Sequence, residues 1–378
     1  MKVVVIIPTY NEKGNIEKLV EILEKEIFPK IKSHNMNILV ADDSSPDGTS
    51  TVVKELAKKW KNIELSVGEK QGLGAAYVRA MTYAIEKMGA DVMFEMDADL
   101  SHDPYKIPQF LEKLDNGFDM VVGTRYSEGG SIPANWPIQR KAFSVFGNLL
   151  VRTILMRFKI HDWTGGYRAL KKEVFLKEKQ ELTSFKGYTF QVSFLHKAAR
   201  DGFKIGEVPI NFTDRTLGRS KIAPTKYIVD LLKYIIIARI KEIVTGPFGK
   251  FLVVGGTGFI IQLLVYRALI SKSTLPLGLS NLLAAQLAIF SNYNLNNLWT
   301  FRHAKASNPI LYFKKMVFFF ATSNIGVLII QSGLIQLGEI LFGRDFPRPY
   351  IYFVLATGVL LIYNFTVYSR IIWKNSSK

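Results

Sequence analysis

The chain has 378 residues, enough for two or three domains, and sets 49 Lys and Arg against 32 Asp and Glu, a net charge of +17, while 48% of its residues are hydrophobic. Basic and apolar together favour a membrane surface and anionic ligands over a simple cytosolic protein, and with no motif for it nucleic acid is not expected as a partner. The absence of cysteine excludes disulfides, zinc-thiolate sites and cysteine nucleophiles.

The opening MKVVVIIPTYNE has too short an apolar run for a signal peptide and breaks at Pro8. Val3 to Ile7 reads instead as a strand buried on both faces. Ile16, Leu19, Val20, Leu23 and Ile27 then recur at helical spacing. The unit repeats: strands over Asn37 to Ala41, Ile63 to Val67, Asp91 to Met96 and Asp119 to Gly123, with amphipathic helices between the earlier ones. Such alternation predicts a parallel, doubly wound sheet, in which ligands sit beyond the carboxyl ends of the strands. Those ends carry Pro8 to Glu12, Asp42 to Ser45, Gly68 to Gln71, Asp97 to Asp99, and Thr124 with Arg125.

Ile138 to Phe158 mixes Arg140, Lys141, Arg152 and Arg157 with Phe143, Phe146, Leu149 and Ile154. Two arrangements fit it, a helix at the lipid headgroups or one packed on the sheet. Lys226 to Val244 sets Lys226, Asp230, Lys233 and Lys241 on one stripe, as expected of an amphipathic juxtamembrane helix over 226–248. Four apolar stretches follow within 249–372, at about 251–270, 277–299, 316–338 and 350–372, each near spanning length. The basic connection from Arg302 to Lys315 and the basic tail place residues 1–225, that connection and the tail on the cytoplasmic side. Asn292, Asn294, Asn296 and Asn297 are costly in hydrocarbon and are expected to face other helices, either bonding between helices or lining a path for a lipid-linked sugar.

EMDADLSHD, Glu95 to Asp103, poses the central chemical question. Residues two apart in a strand share a face, so Glu95, Asp97 and Asp99 would crowd one edge and repel one another unless a cation intervenes. Hard carboxylate oxygens suit magnesium or manganese, which bridges to substrate phosphates. In Asp42 to Thr49, Asp47 to Thr49 reads as a turn and N-cap, whereas Asp42 and Asp43 exceed what a cap needs and are placed to accept bonds from a base or ribose. Gln71 to Ala76, QGLGAA, follows the third strand rather than the first, which disfavours a nicotinamide cofactor. Its glycines let a helix N-terminus approach a ligand closely.

In combination, PTYNE, DDSSPDGT, GLGAA, DADLSHDP and GTRY resemble the nucleotide-sugar glycosyltransferases of family 2 with a GT-A fold. KGYTFQ (Lys186 to Gln191) and GEVPINFTDRTLGRSK (Gly206 to Lys221) look most like the dolichyl-phosphate mannose synthases, over residues 1 to about 225. The apolar half, with SNYNLNNLWTF, is similar to GtrA-like four-helix domains. The resemblance implies a mixed, doubly wound GT-A sheet followed by four transmembrane helices. It implies metal-dependent, inverting transfer of mannose from GDP-mannose to dolichyl phosphate at a bilayer. On this resemblance Pro8, Tyr10, Glu12, Ala41 and Asp43 cradle the guanosine, Asp97 and Ala98 meet the ribose and diphosphate, and Asp97, Asp99 and Ser101 are the metal-side residues, with His102 or Asp103 as substitutes for Ser101. Arg125, Arg140, Arg215 and Lys221 are the phosphate-binding cations. Many relatives have a glutamate where this chain has Ser193, which a phosphate acceptor does not require. Two alternatives stand beside this reading: glucose transfer from UDP-glucose to a polyprenyl phosphate, and a translocator or scaffold for a lipid-linked sugar. Oligomeric state is left open.

Overall fold

The computed structural model describes residues 1–182, 187, 189–213, 224–272, 277–306, 308–343, 345 and 347–374. The chain divides into two compact units, Met1–Arg239 and Ile240–Lys378. The first runs β1 (Lys2–Thr9), α1 (Lys13–Ile22), β2 (Asn35–Asp42), α2 (Thr49–Lys59), β3 (Ile63–Val67), α3 (Leu73–Glu86), β4 (Val92–Glu95), α4 (Ile107–Asp115) and β5 (Met120–Thr124). It continues with α5 (Ile138–Leu155), β6 (Arg168–Lys171), α6 (Lys172–Leu182), α7 (Thr189–Arg200), β7 (Ile205–Pro209) and most of α8 (Pro224–Thr245).

The seven strands form one sheet in the order β3-β2-β1-β4-β6-β5-β7. β6 runs antiparallel to both β4 and β5, and the other pairings are parallel. The sheet is therefore mixed. The apolar runs anticipate β1 to β5, while the alternation alone implied an all-parallel sheet. β6 and β7 escape the pattern because β6 is only Arg168 to Lys171, half of it cationic, and β7 alternates buried and half-buried positions.

Alternation along β1 supplies both cores. Val3, Val5 and Ile7 pack with α1, α2 and α4, while Val4 and Ile6 pack under α3 and the later helices. Met93 faces that second core, so Glu95, two residues on in the same strand, points the same way. Leu231 and Ile235 of α8 are buried in this core beside residues of α3 and α7, whereas Ile236 and Ile237 on the same helix are exposed. α5 is anchored by Asn148, Val151 and Leu155. Its other face leaves Ile138, Phe143 and Phe146 at 84%, 72% and 67% exposure, far beyond what sheet packing would leave.

The second unit contains the end of α8, then α9 (Pro247–Lys272), α10 (Leu277–Leu295), α11 (Pro309–Ile325), α12 (Ser332–Phe342) and α13 (Arg348–Val367). Among the described residues three stretches are long and apolar enough to cross a membrane, Pro247–Leu269, Pro309–Phe342 and Val354–Ile372. The segment expected over 277–299 forms α10 and a following π turn. An aromatic cluster of Phe251, Tyr293, Phe301, Phe319, Tyr368 and Trp373 centres the unit. The expected polar ties are present at two asparagines. Asn294 accepts from the Tyr312 hydroxyl, and Asn297 accepts from the Ala306 amide and the Trp373 indole.

Ile235→Asp places a charge in the core under α8 and is expected to raise amide hydrogen exchange along Pro224–Thr245 by at least about tenfold. Ile237→Asp, on the exposed side, is expected to leave that exchange unchanged in hydrogen-exchange mass spectrometry.

Candidate functional site

A cavity of about 340 Å³ opens at the carboxyl ends of β1, β2 and β4. Pro8, Tyr10, Glu12, Asp43, Asp97, Ala98 and Asp99 all border it, so these sequence-predicted residues are brought together. Ala41 lies fully buried within β2, and Ser101, also buried, does not border the cavity. Arg215 and Lys221 lie outside the described residues.

Three of the four non-glycine residues with left-handed backbone among the described residues, Asn11, Ser44 and Leu100, sit in the turns that leave these strands. Such geometry costs about 1–3 kcal/mol per residue and persists only where neighbours enforce it. Here the Asn11 amide donates to the Ser45 hydroxyl, the Ser44 hydroxyl to the Gly68 carbonyl, and the Ser101 amide to Asp99 Oδ1.

The two adjacent aspartates differ in role. Asp42 is fully buried and accepts four hydrogen bonds, from the Thr9, Ser45 and Ser50 hydroxyls and the Ser45 amide. Burial alone would raise its carboxyl, but these donors hold it below the ordinary range. Asp43 faces the cavity and pairs with Arg79 Nη2 at 2.8 Å. That arginine passes directly over Gly68, where a Cβ would fall 2.3 Å from the guanidinium. Asp47 accepts from the Thr49 amide and hydroxyl in the expected turn before α2, whose N-cap is Gly48 rather than a polar side chain.

Cationic character at the cavity comes from Lys70, which the motifs alone do not single out, and from the N-terminus of α3, which follows the glycines of QGLGAA. Lys70 borders it with its ammonium 3.4 Å from the centre of the Tyr10 ring. Gly72 and Leu73 bring the N-terminus of α3 to the wall, Gly72 adopting φ +102°, a conformation open to glycine. A helix N-terminus with its free amides favours an anion.

Asp97 and Asp99, whose carboxylates are hard oxygen donors, both border the cavity. Among the described residues no three His, Cys, Asp or Glu side chains cluster as a metal shell. Two carboxylates are what Mg²⁺ or Mn²⁺ uses when substrate phosphates and water supply the rest, so the donor set fits such a cation. His102, considered as a ligand, has its Nδ1 occupied by the Asp97 amide at 3.0 Å, and its ring stacks on Tyr167. Asp103 caps the next turn by accepting from the Tyr105 amide.

Arg125 does not border the cavity. Its Nε and Nη2 pair with the two carboxylate oxygens of fully buried Asp162 at 2.7 and 2.8 Å, and Nη2 also donates to Thr164. Burial would raise Asp162, but Arg125 and the neighbouring amides hold its carboxyl below the ordinary range. The segment Asp162 to Arg168 is thus built around its first residue, and Asn148 of α5 adds a second tie by accepting from the Trp163 amide. Arg140 lies on exposed α5 with its guanidinium 3.8 Å from the Trp136 ring centre. Glu95, which would have crowded Asp97, is instead fully buried below the cavity floor, and burial pushes its carboxyl up to about 7, although Arg168 opposes this.

Residues 4–177 match the family described as "Glycosyl transferase family 2", and residues 250–373 match "GtrA/DPMS, transmembrane domain". Dolichol-phosphate mannosyltransferase of Pyrococcus furiosus is 34% identical over 303 residues, 80% of this chain and 82% of the relative. The chain belongs to glycosyltransferase family 2. Polyprenol monophosphomannose synthase of Mycolicibacterium smegmatis is 39% identical over 224 residues, 59% of this chain and 81% of that one. A looser likeness, at TM-score 0.44 and 18% identity over 63% of this chain and 79% of the other, is to glucosyl-3-phosphoglycerate synthase of Mycobacterium tuberculosis, solved with Mn²⁺, uridine diphosphate and glucosyl-3-phosphoglycerate. This glycosyltransferase is a membrane protein, with a transmembrane domain following its mixed-sheet unit.

Asp162→Asn leaves Arg125 buried beside a neutral amide and is expected to cost about 3–5 kcal/mol in stability at neutral pH. Because the folded carboxyl titrates below its unfolded value, that contribution is complete above about pH 4 and fades as pH falls through the folded pKa. The gap between wild type and variant in denaturation midpoints is therefore expected to shrink only in acid. Gly68→Ala displaces Arg79 and is expected to weaken nucleotide binding about tenfold, measured by titration calorimetry, as the Asp43 carboxylate loses its partner.

Proposed function

We propose that the protein transfers mannose from GDP-mannose to dolichyl phosphate at the cytoplasmic face of the membrane. The product is dolichyl β-D-mannosyl phosphate, for protein glycosylation. The observation that carries the reading is the pair Asp97 and Asp99 at a strand-end cavity, in a chain whose other unit is a membrane domain. The relatives named as polyprenol and dolichol-phosphate mannosyl enzymes favour mannose and a lipid phosphate over the UDP-glucose alternative.

In this reading Asp43 accepts from the base while Arg79 fixes its orientation. Asp97 and Asp99 hold a Mg²⁺ or Mn²⁺ ion, which would supply charge neutralisation at the departing diphosphate. Lys70 and the N-terminal amides of α3 add positive potential along the same wall. A phosphate acceptor is already ionised near neutral pH, its second pKa being about 6, so no general base is needed. Ser193 meets that expectation, since it is buried and its hydroxyl donates to the Phe190 carbonyl. Arg125 contributes by holding the Asp162 loop, with Arg140, Arg215 and Lys221 left to meet phosphate groups at the lipid side. One direct displacement by phosphate inverts the anomeric carbon. The exposed face of α5, with Phe143 and Phe146 outward and Arg140 and Lys141 nearby, suits a headgroup-level surface that presents the lipid acceptor.

Full-length protein given radiolabelled GDP-mannose, dolichyl phosphate and Mn²⁺ is expected to yield a mannosyl lipid. Chelation is expected to abolish the product and added Mg²⁺ or Mn²⁺ to restore it. Asp99→Ala is expected to lose on the order of 10²-fold or more in kcat/KM. A wild-type protein that ignores GDP-mannose but uses UDP-glucose would overturn the mannose assignment.

A further inference from the structure

The last ladder bond at the end of β4 is made by Met96, whose amide donates to the Ile6 carbonyl at 3.1 Å. The next amide, that of Asp97, has left the sheet and donates instead to His102 Nδ1 at 3.0 Å. One side chain therefore closes the turn from Asp97 to His102 at its base, and both aspartates that border the cavity stand on that turn. Within it Leu100 adopts φ +62° and the Ser101 amide donates to Asp99 Oδ1 at 3.1 Å. A leucine in left-handed backbone is strained, so a turn of this shape persists only if its ends are held.

The imidazole is itself held from outside the turn. His102 is buried, and its ring stacks on fully buried Tyr167 with centres 5.0 Å apart and planes 8° apart. The Tyr167 hydroxyl donates to the carbonyl of the next residue, Asp103, at 3.1 Å. Tyr167 does not rest on the turn that it supports: its carbonyl accepts from the Gly123 amide of β5 at 2.8 Å, and its ring centre lies 4.6 Å from that of Phe110 on α4. Sheet and helix together back the turn.

Hydrogen bonding fixes what the histidine can do. A main-chain amide only donates, so Nδ1 must accept, and the ring proton of the neutral imidazole sits on Nε2. Neither nitrogen then has a lone pair left for a metal ion. Nε2 stands 3.9 Å from Asp97 Oδ2, too far for a hydrogen bond, so the histidine reaches the aspartate through its main chain. We propose that His102, backed by Tyr167, is a positioning residue: it sets the turn that carries Asp97 and Asp99, and through that turn the affinity of the site for a divalent cation. The proposal rests on the metal reading above, and it gives the histidine a task distinct from both ligation and base recognition.

The test measures Mn²⁺ affinity at saturating GDP, from the electron paramagnetic resonance signal of free Mn²⁺, in full-length wild type, His102→Asn, His102→Gln and Tyr167→Phe. Asparagine and glutamine both lose the stacked ring and both carry an amide. They differ in reach, since asparagine sets its oxygen where Nδ1 stands and glutamine carries it towards the Nε2 position. The expected result is Mn²⁺ affinity about tenfold weaker in His102→Gln, about threefold weaker in Tyr167→Phe and within about threefold of wild type in His102→Asn. GDP affinity measured with chelator is expected to stay within about twofold throughout, which also certifies the fold. Equal weakening in the asparagine and glutamine variants would make the histidine a packing residue or a ligand and overturn the proposal. Unchanged Mn²⁺ affinity in His102→Gln, or a parallel fall in GDP affinity with chelator, would overturn it as well. If His102→Gln fails to accumulate, Tyr167→Phe decides, and wild-type Mn²⁺ affinity there overturns the proposal. Wild-type protein that takes up no Mn²⁺ with either GDP or UDP would instead sink the metal reading, and the proposal with it.

Discussion

Carboxylates converge where β2 and β4 end, and the architecture of the site follows from keeping them apart without neutralising all of them. Asp42 is surrounded by hydroxyls and an amide, Asp43 meets Arg79, Glu95 is withdrawn beneath the floor, and Asp97 and Asp99 remain at the cavity. Each solution draws on a different element. Ser45 and Ser50 come from the turn and helix after β2, Arg79 comes from α3 over a glycine gap, and the sheet itself buries Glu95 against β6. Asp97 and Asp99 both border the cavity, and that is where a cation would have its use.

A second buried charge organises the other half of the rim. Asp162 receives Arg125 from the end of β5, the amides of its own loop and, through Trp163, a tie to Asn148 of α5. Strand, loop and exposed helix are thereby joined through one carboxylate. Because both partners are buried, desolvation offsets much of their attraction, and the value of the pair lies in fixing geometry more than in net stability.

The strands β1 to β5 were legible because buried parallel strands are written as unbroken apolar runs, Val3 to Ile7 above all. β6 was not, since a four-residue strand that begins with a buried arginine carries little hydrophobic signal and its partners, β4 and β5, lie far back in the chain. At the site, the rule that ligands meet the carboxyl ends of strands pointed to Tyr10, Asp43 and Asp97, which border the cavity. It could not tell which cation faces outward. Arg125 reads from its motif as a phosphate fork, but its partner stands 37 residues later in the loop that precedes β6. Lys70 shows the reverse. Nothing in its spacing distinguishes it from Glu69 or Gln71, and only folding lays its ammonium on the Tyr10 ring.

The neighbouring aspartates 42 and 43 carry a lesson for functional genetics. Asp42 serves the fold through four internal donors, while Asp43 borders the cavity and pairs with Arg79, and under the proposed function loss of either would silence the enzyme. A survey that scores activity alone would rank them as equals. One that also scores cellular abundance would separate them, because a chain without Asp42 would be cleared by quality control whereas, under that function, a chain without Asp43 would accumulate and stay inert.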